Sequence, residues 1–324
     1  MTLSLIVPCY NEEGNVRAFF DAAAAAFRGA PCALEFVFVD DGSADGTFAE
    51  LQKLCRQREY PVRVVSFSRN FGKESAIYAG LQAARGEYAC LIDADLQQRP
   101  EVARSMLELL LSDPDCDGVV ACQTGRRERG VLRASKKAFY RLIDRMADVR
   151  FHENASDFRL LSRKMVNAVL DMGEYHRFSK GIFAWIGFHV RYVPYEAEAR
   201  ASGQSKWSFG KLLRYAFDGI LSFSTAPLHA ATGLGAVSAL AAFVYLIVVV
   251  VQKLTCGIAV PGYATIVVLL LFLGGLQLVG LGIIGEYVGK IYLESKRRPI
   301  YIARTVLSNE DENGKIQEIH EEAL

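Results

Sequence analysis

Two stretches near the C-terminal end constrain the rest of this chain most strongly. From Ala230 to Val251 there is no charged side chain, and from Tyr263 to Ile284 the one strongly polar residue is Gln277. At about 1.5 Å of rise per helical residue, each run reaches across a hydrocarbon core of about 30 Å. Two buried helices of a large soluble protein are the competing reading. Nothing comparable occurs earlier in the chain, so membrane spans are expected instead. The connector 252–262 carries one charge, Lys253, and holds Cys256, Gly257, Pro261 and Gly262, the composition of a short turn. An antiparallel hairpin follows.

The flanks orient it. Lys206, Lys211 and Arg214 precede the first span, and Lys290, Lys296, Arg297 and Arg298 follow the second. The positive-inside rule assigns both flanks, the first 225 or so residues and both termini to the cytosolic face of a cell (inner) membrane. Between Trp207 and Ser224, Phe209, Leu212, Leu213, Ala216, Phe217, Ile220 and Leu221 share one helical face, while Lys211, Arg214 and Asp218 take the other. That pattern suits a helix lying in the membrane interface, with an ordinary amphipathic helix packed on the domain as the alternative. The expected division is a cytosolic domain over 1–206, an interfacial helix over 207–228, two spans within 229–287 and a juxtamembrane segment with an acidic tail over 288–324.

The chain has 324 residues, 51% of them hydrophobic and 23% charged, and a formal net charge of +1. That length buries a sizeable core without a disulfide or metal staple. Near-neutral charge argues against a general nucleic-acid binder, so no nucleic-acid partner is expected. Seven cysteines at 9, 32, 55, 90, 116, 122 and 256 form no CxxC pair, which points to a reducing compartment. The opening MTLSLIVPCYNEE has no basic leader before its short apolar run, so no signal peptide is expected. His152, His176 and His189 lack ligand spacing and are given no metal role.

Before the hairpin, short apolar β-rich runs alternate with helical patterns. Strands are expected at Leu3–Val7, Leu34–Val39, Val62–Ser66, Tyr88–Ile92 and Gly118–Cys122, with helices at Asn15–Phe27, Thr47–Arg58, Glu74–Ala84 and from Pro100 onward. Such alternation predicts an α/β domain with an open, mostly parallel, Rossmann-like sheet. Ligands of these sheets sit outside the carboxyl ends of the strands. There the sequence reads Pro8-Cys9-Tyr10-Asn11-Glu12-Glu13, Asp40-Asp41-Gly42-Ser43, Ser68-Arg69-Asn70-Phe71-Gly72-Lys73 and Asp93-Ala94-Asp95-Leu96-Gln97. Carboxylates gathered at one edge repel each other, and a divalent cation is their natural partner. Asp93 and Asp95 can both reach one hard ion whose other positions go to phosphate oxygens. No GxGxxG follows the first strand, which argues against a dinucleotide dehydrogenase.

Taken in order, IVPCYNEE, VFVDDGSADGT, SRNFGKESAIYAGL, CLIDADLQ, SDFRLLSR (156–163), KGIFAWIGF (180–188) and SGQSKWSF (202–209) resemble the family 2 glycosyltransferases of the GT-A fold. With the hairpin, the chain from Leu3 to Arg298 resembles the polyprenyl-phosphate glycosyltransferases, a group that includes bactoprenol glucosyltransferases and dolichyl-phosphate mannose synthases. The resemblance implies that Pro8, Tyr10 and Glu12 line a nucleoside pocket and that Asp40 holds the base or ribose. It implies that Asp93, Asp95 and Gln97 serve Mg²⁺ or Mn²⁺ and the donor's diphosphate. Asp157 matches an acidic position near the acceptor, and Arg200, Ser205 and Lys206 match a basic loop that closes on phosphate. Where the family usually continues with an acidic residue and two prolines, this chain has Gln98-Arg99-Pro100.

The implied reaction is inverting transfer of a single sugar from a nucleotide-sugar donor, a UDP-hexose such as UDP-glucose, to undecaprenyl or another polyprenyl phosphate. Asp95 and Asp157 are the expected catalytic residues. The acceptor phosphate is mostly dianionic at pH 7 and does not need a base. Asp157 is therefore either a general base or a group that orients the acceptor and steadies an oxocarbenium-like anomeric carbon. Between Arg126 and Arg150, nine basic residues face three acidic ones, a local charge of +6. Arg126, Arg133 and Lys136 are the candidates for acceptor phosphate and anionic lipid, against a plain solvated basic helix. The processive-synthase motif QxxRW is absent, and Gln204-Ser205-Lys206-Trp207 resembles it only superficially. A processive glycan synthase and a non-catalytic nucleotide-sugar scaffold are the competing readings. Self-association is expected, if anywhere, through the membrane or juxtamembrane region. Ser308–Leu324, with a local charge of −5, is expected to be disordered.

Overall fold

The computed structural model describes residues 1–124, 155–196, 224–256, 262–309 and 317–318. Of the interfacial helix expected over 207–228, residues 207–223 lie outside them, and 226–228 instead open a long helix, Ala226–Cys256. The first strand is β1 (Thr2–Cys9), and a helix, α1 (Val16–Ala26), leads to β2 (Ala33–Asp40). The pattern repeats through α2 (Thr47–Gln57), β3 (Val62–Phe67), α3 (Lys73–Ala83), β4 (Tyr88–Leu91), α4 (Pro100–Ser112) and β5 (Gly118–Thr124). Pro100 opens α4 where its missing N–H costs nothing.

Strands β3, β2, β1 and β4 lie side by side in parallel, as the alternation predicts. Both faces of this core are covered, so its strands are apolar at nearly every position. Leu3, Leu5 and Val7 of β1 face Phe19 and Phe20 of α1, Leu51 and Leu54 of α2, and Met106 and Leu107 of α4. Ile6, Val37 and Val39 face the opposite way, toward Ile77 and Leu81 of α3.

Beyond β4 the order departs from the simple alternation. The strand β6 (Ala155–Ser162) sits between β4 and β5, antiparallel to both. It is followed by α5 (Arg163–Leu170), α6 (Ser179–Trp185) and β7 (Val190–Glu196), which pairs in parallel with β5. Because β6 runs against β4, its first residues lie at the carboxyl edge of the parallel core, which is where Asp157 falls.

Two long helices, α7 (Ala226–Cys256) and α8 (Tyr263–Ser295), then pack against one another. Within them, Ala226–Gln252 and Val268–Ser295 are long and apolar enough to cross a membrane, with mean hydropathies of 2.7 and 2.3. Leu240, Leu271 and Leu278 project from them fully into the surroundings, a surface suited to hydrocarbon rather than water. The chain then rejoins the sheet as β8 (Ala303–Ser308), antiparallel to β3, and β9 (Gln317–Glu318) pairs with β8. The expectation of disorder from Ser308 onward is corrected to that extent, since Ser308 is buried and pairs with Arg63 and Gln317. Without β8 the backbone of β3 would be an unpaired edge. Val306 and Leu307 bury apolar surface there, Tyr301 stacks on Phe67 at 4.8 Å, and the Asn309 side chain accepts from Val62 N–H at 2.8 Å.

Candidate functional site

Four strand ends and the loops that follow them build one edge of the sheet. After β1, Asn11 takes a left-handed backbone with φ of 55°, a conformation asparagine tolerates better than most residues. The loop it begins is stitched to the one after β2. Asn11 N–H donates to Ser43 Oγ at 3.0 Å, its side-chain oxygen accepts from Ala44 N–H at 2.9 Å, and Glu12 N–H donates to Thr47 Oγ1 at 2.8 Å. The Glu12 carboxylate turns toward α1 and accepts from Asn15 Nδ2 at 2.6 Å. Pro8 is half-buried and the Tyr10 ring is exposed beside this seam.

The two aspartates ending β2 face inward. Asp40 is buried and accepts from Ser43 N–H at 3.0 Å and from the Ser66 hydroxyl at 2.8 Å. These bonds brace the 40–43 turn at the residue the resemblance implied for contact with base or ribose. Asp41 accepts from Phe71 N–H at 2.7 Å, from Gly72 N–H at 3.0 Å and from Asn70 Nδ2 at 2.9 Å, and so fixes the loop after β3. Burial holds the Asp41 carboxyl above its ordinary value despite those N–H donors. Gly42, at φ +65°, lets the Arg69–Asn70 backbone pass so closely that a β-carbon would lie 2.4 Å from the Arg69 carbonyl carbon.

That loop delivers Lys73, the first residue of α3, to the centre of the edge. Its ammonium lies 2.7 Å from Asp93 Oδ1 and 3.4 Å from Asp157 Oδ2, while Lys180 Nζ lies 3.9 Å from Asp157 Oδ1. Burial would raise the Asp157 carboxyl, but Lys73, Lys180 and Arg159 outweigh it and push it down to about 2. Burial would likewise lower the Lys73 ammonium, yet Asp93 and Asp157 hold it above the usual lysine value. Lys180 is aimed by a contact made one residue earlier. Ser179 N–H donates to Glu74 Oε2 at 2.8 Å and the Ser179 hydroxyl bonds the same oxygen, tying the start of α6 to the first turn of α3.

Asp93 is gripped from its other side by Gln98. Asp93 N–H donates to Gln98 Oε1 at 2.9 Å, and Gln98 Nε2 donates to Asp93 Oδ2 at 3.1 Å. Between them the chain reverses through Leu96, whose φ of 58° puts a bulky residue in the left-handed region. Asp95 and Gln97 flank it in the same turn, where Asp95 Oδ1 accepts from Gln97 N–H at 3.2 Å and helps to hold the strained conformation. Among the described residues, no group of three or more His, Cys, Asp or Glu side chains forms a metal cage. Two carboxylates two residues apart, with one already engaged by an ammonium, suit a hard divalent ion shared with a ligand's oxygens. They do not suit one enclosed by protein alone.

Asp93, Asp95, Gln97 and Asp157 are thus brought to one edge, beside the loops carrying Pro8, Tyr10, Glu12 and Asp40. Arg126, Arg133, Lys136, Arg200, Ser205 and Lys206 lie outside the described residues. The sequence reading gave no role to Lys73, Gln98, Lys180 or the Glu74–Ser179 contact. Lys73 was findable as one of two cations, with Arg69, that follow β3 at an edge otherwise rich in acids. Tyr195, buried near the end of β7, was not. Burial raises its phenol while a hydrogen bond with Ser156 lowers it, and Asp93, Asp157 and Asp95 all lie near enough to add to the rise.

Comparison with known proteins bears on this edge and on the whole chain. The model described as Glycosyl transferase family 2 matches residues 4–170. An uncharacterized glycosyltransferase of Synechocystis sp. is 40% identical over 301 residues, covering 93% of this chain and 94% of that protein. A bactoprenol glucosyl transferase of Shigella phage SfV is 39% identical over 305 residues, covering 94% and 98%. Among solved structures, glucosyl-3-phosphoglycerate synthase from Mycobacterium tuberculosis aligns at 17% identity with a TM-score of 0.47, over 68% of this chain and 77% of that one.

Proposed function

This chain belongs to glycosyl transferase family 2, and from that membership we propose that it moves one hexose from a UDP-sugar to a polyprenyl phosphate. Undecaprenyl phosphate is the proposed acceptor, transfer inverts the anomeric carbon, and the site faces the cytosol. One observation carries the reading. Asp93 and Asp157 both pair with Lys73, with Asp95 two residues after Asp93, at the edge of a family 2 domain joined to two helices long and apolar enough for a membrane. The similarity to a protein named bactoprenol glucosyl transferase, over nearly the whole of both chains, supports a lipid-phosphate acceptor.

Asp93 and Asp95, with Gln97 adjoining, would hold Mg²⁺ or Mn²⁺ together with the donor diphosphate, and the ion's chemistry is to neutralise charge on the leaving group. Pro8, Tyr10 and Glu12 form the wall on which the nucleoside rests, with the Tyr10 ring exposed at its surface. An oxygen of the acceptor phosphate attacks the anomeric carbon from the face opposite the diphosphate, and the bond to the diphosphate breaks, inverting the centre. The acceptor is already ionised at neutral pH. A carboxylate pushed down to about 2 makes a poor base near pH 7. Asp157 therefore orients the acceptor and steadies positive charge at the anomeric carbon. Arg126, Arg133, Lys136, Arg200, Ser205 and Lys206 are assigned to the acceptor phosphate and the closing loop on sequence grounds.

The test incubates the purified full chain and Mg²⁺ with a panel of labelled nucleotide sugars and undecaprenyl phosphate. Label entering the organic phase with a UDP-hexose supports the reading. Absence of label with every donor, from protein that melts cooperatively, overturns it.

A further inference from the structure

The contact between Lys73 and two carboxylates at once has a consequence for how a cation enters. The ammonium lies 2.7 and 3.0 Å from the two oxygens of Asp93 and 3.4 Å from Asp157, so it fills the space in which a positive charge is most favourable. All three side chains remain partly open to solvent, at 44%, 33% and 31% exposure, so an incoming ligand reaches them directly. Gln98 meanwhile fixes Asp93 with a neutral amide and adds no further negative charge to draw a free ion.

We propose that Lys73 is a positioning residue that stands in for the divalent cation: it holds Asp93 and Asp157 together in the donor-free protein and must give up Asp93 when the ion arrives. An ion entering alone competes with the tethered ammonium for Asp93 and recovers few oxygens from the protein. An ion entering with a diphosphate gains two or more phosphate oxygens, which tips the exchange. Cation binding is thereby coupled to donor binding, and the displaced ammonium stays beside Asp157, close to where an acceptor phosphate must arrive. Lys180, already facing Asp157, keeps that carboxylate paired during the exchange.

This inference rests on the functional reading above only in treating Asp93 and Asp95 as cation ligands. It is tested by Mn²⁺ binding, read by electron paramagnetic resonance on the full chain in detergent with no sugar or acceptor present. Lys73→Met should bind Mn²⁺ about fivefold more tightly than the wild type, the scale of one partly exposed ion pair. Lys73→Arg should bind it as the wild type does, and UDP should tighten Mn²⁺ binding less in Lys73→Met than in the wild type. Equal or weaker Mn²⁺ binding by Lys73→Met overturns the inference. Lys73→Gln provides the same comparison should the methionine variant lose its cooperative melt. Asp95→Ala separates the two levels. If it leaves Mn²⁺ binding unchanged, the edge is not a cation site, and both this inference and the cation assignment in the functional reading fall. If it abolishes binding while Lys73→Met changes nothing, only the role of Lys73 falls.

Discussion

Gly42→Ala is the substitution for which the structure gives the fullest forecast. Two costs combine there. A residue with a β-carbon in the left-handed region loses about 1–2 kcal/mol. The new β-carbon would also lie 2.4 Å from Arg69 C, 2.7 Å from Asn70 N and 2.8 Å from Arg69 O, all backbone atoms that cannot swing aside. Overpacking of this sort costs about a further 1–3 kcal/mol. Two other glycines isolate the components. Gly29 has φ +71° with nothing within 4 Å of its added β-carbon, so Gly29→Ala carries the backbone cost alone. Gly46→Ala meets only the carboxylate end of Glu13, at 2.4 Å, and that side chain can move. At about 2–4 °C per kcal/mol for a domain of this size, Gly42→Ala should melt about 2–12 °C below Gly29→Ala. Gly46→Ala should stay within about 1 kcal/mol of the wild type, roughly one hydrogen bond. Thermal unfolding of the three variants in one detergent, followed by circular dichroism, makes the comparison. Since Asp41 and Gly42 set the loop that delivers Lys73, Gly42→Ala should also lower transfer activity well below that of Gly29→Ala. A Gly42→Ala protein as stable as Gly29→Ala would refute the packing argument.

Other expectations are shorter. Asp157 stands at about 2 against an ordinary 3.8. The stability it contributes is present above about pH 4 and is lost as pH falls through about 2, because its folded value is the depressed one. Melting temperatures across that window should fall less steeply for Asp157→Asn than for the wild type, and an unchanged acid slope would contradict the pairing with Lys73 and Lys180. Asp95→Ala should lower transfer by about a hundredfold or more at saturating donor; full activity would remove Asp95 from the chemistry. Gln98→Ala, which removes the acceptor for Asp93 N–H and one of the two donors on Asp93 Oδ2, should raise the Mn²⁺ concentration needed for half-maximal transfer while the protein melts within about 2 kcal/mol of wild type. Asn309→Ala strips an acceptor from Val62 N–H and a donor from Tyr60 O. It should cost about 1–2 kcal/mol in a thermal melt without altering kcat.

Much of the parallel core was legible because its strands are buried on both faces and read as unbroken apolar runs. The 3.6-residue pattern and Pro100 marked the helices between them, and carboxylates after β1, β2 and β4 pointed to the carboxyl edge. The insertion of β6 between β4 and β5 was not legible. Strand order depends on pairing across about 60 residues of chain, and the local pattern of Ala155–Ser162 is that of any half-buried strand. The return of Ala303–Ser308 to cover β3 was hidden by the acidic residues that follow it, which dominate the local composition. At the site, residue type and position after a strand pointed to Asp93 and Asp95, and the family resemblance pointed to Asp157. The cations and amide that aim them, Lys73, Lys180 and Gln98, become recognisable only once three dimensions bring them within bonding distance. Asp40, which the resemblance implied as a contact for base or ribose, is buried and also braces its own turn through two internal bonds, a second task that residue type alone does not show.

Mass analysis of the lipid product tests the central claim most directly. Undecaprenyl phosphate incubated with the full chain, Mg²⁺ and an excess of UDP-glucose should gain one hexose and no more, and Asp95→Ala should leave the lipid unmodified. A ladder of successive hexose additions, or an unmodified lipid in the presence of cooperatively folded wild-type protein, would contradict the account.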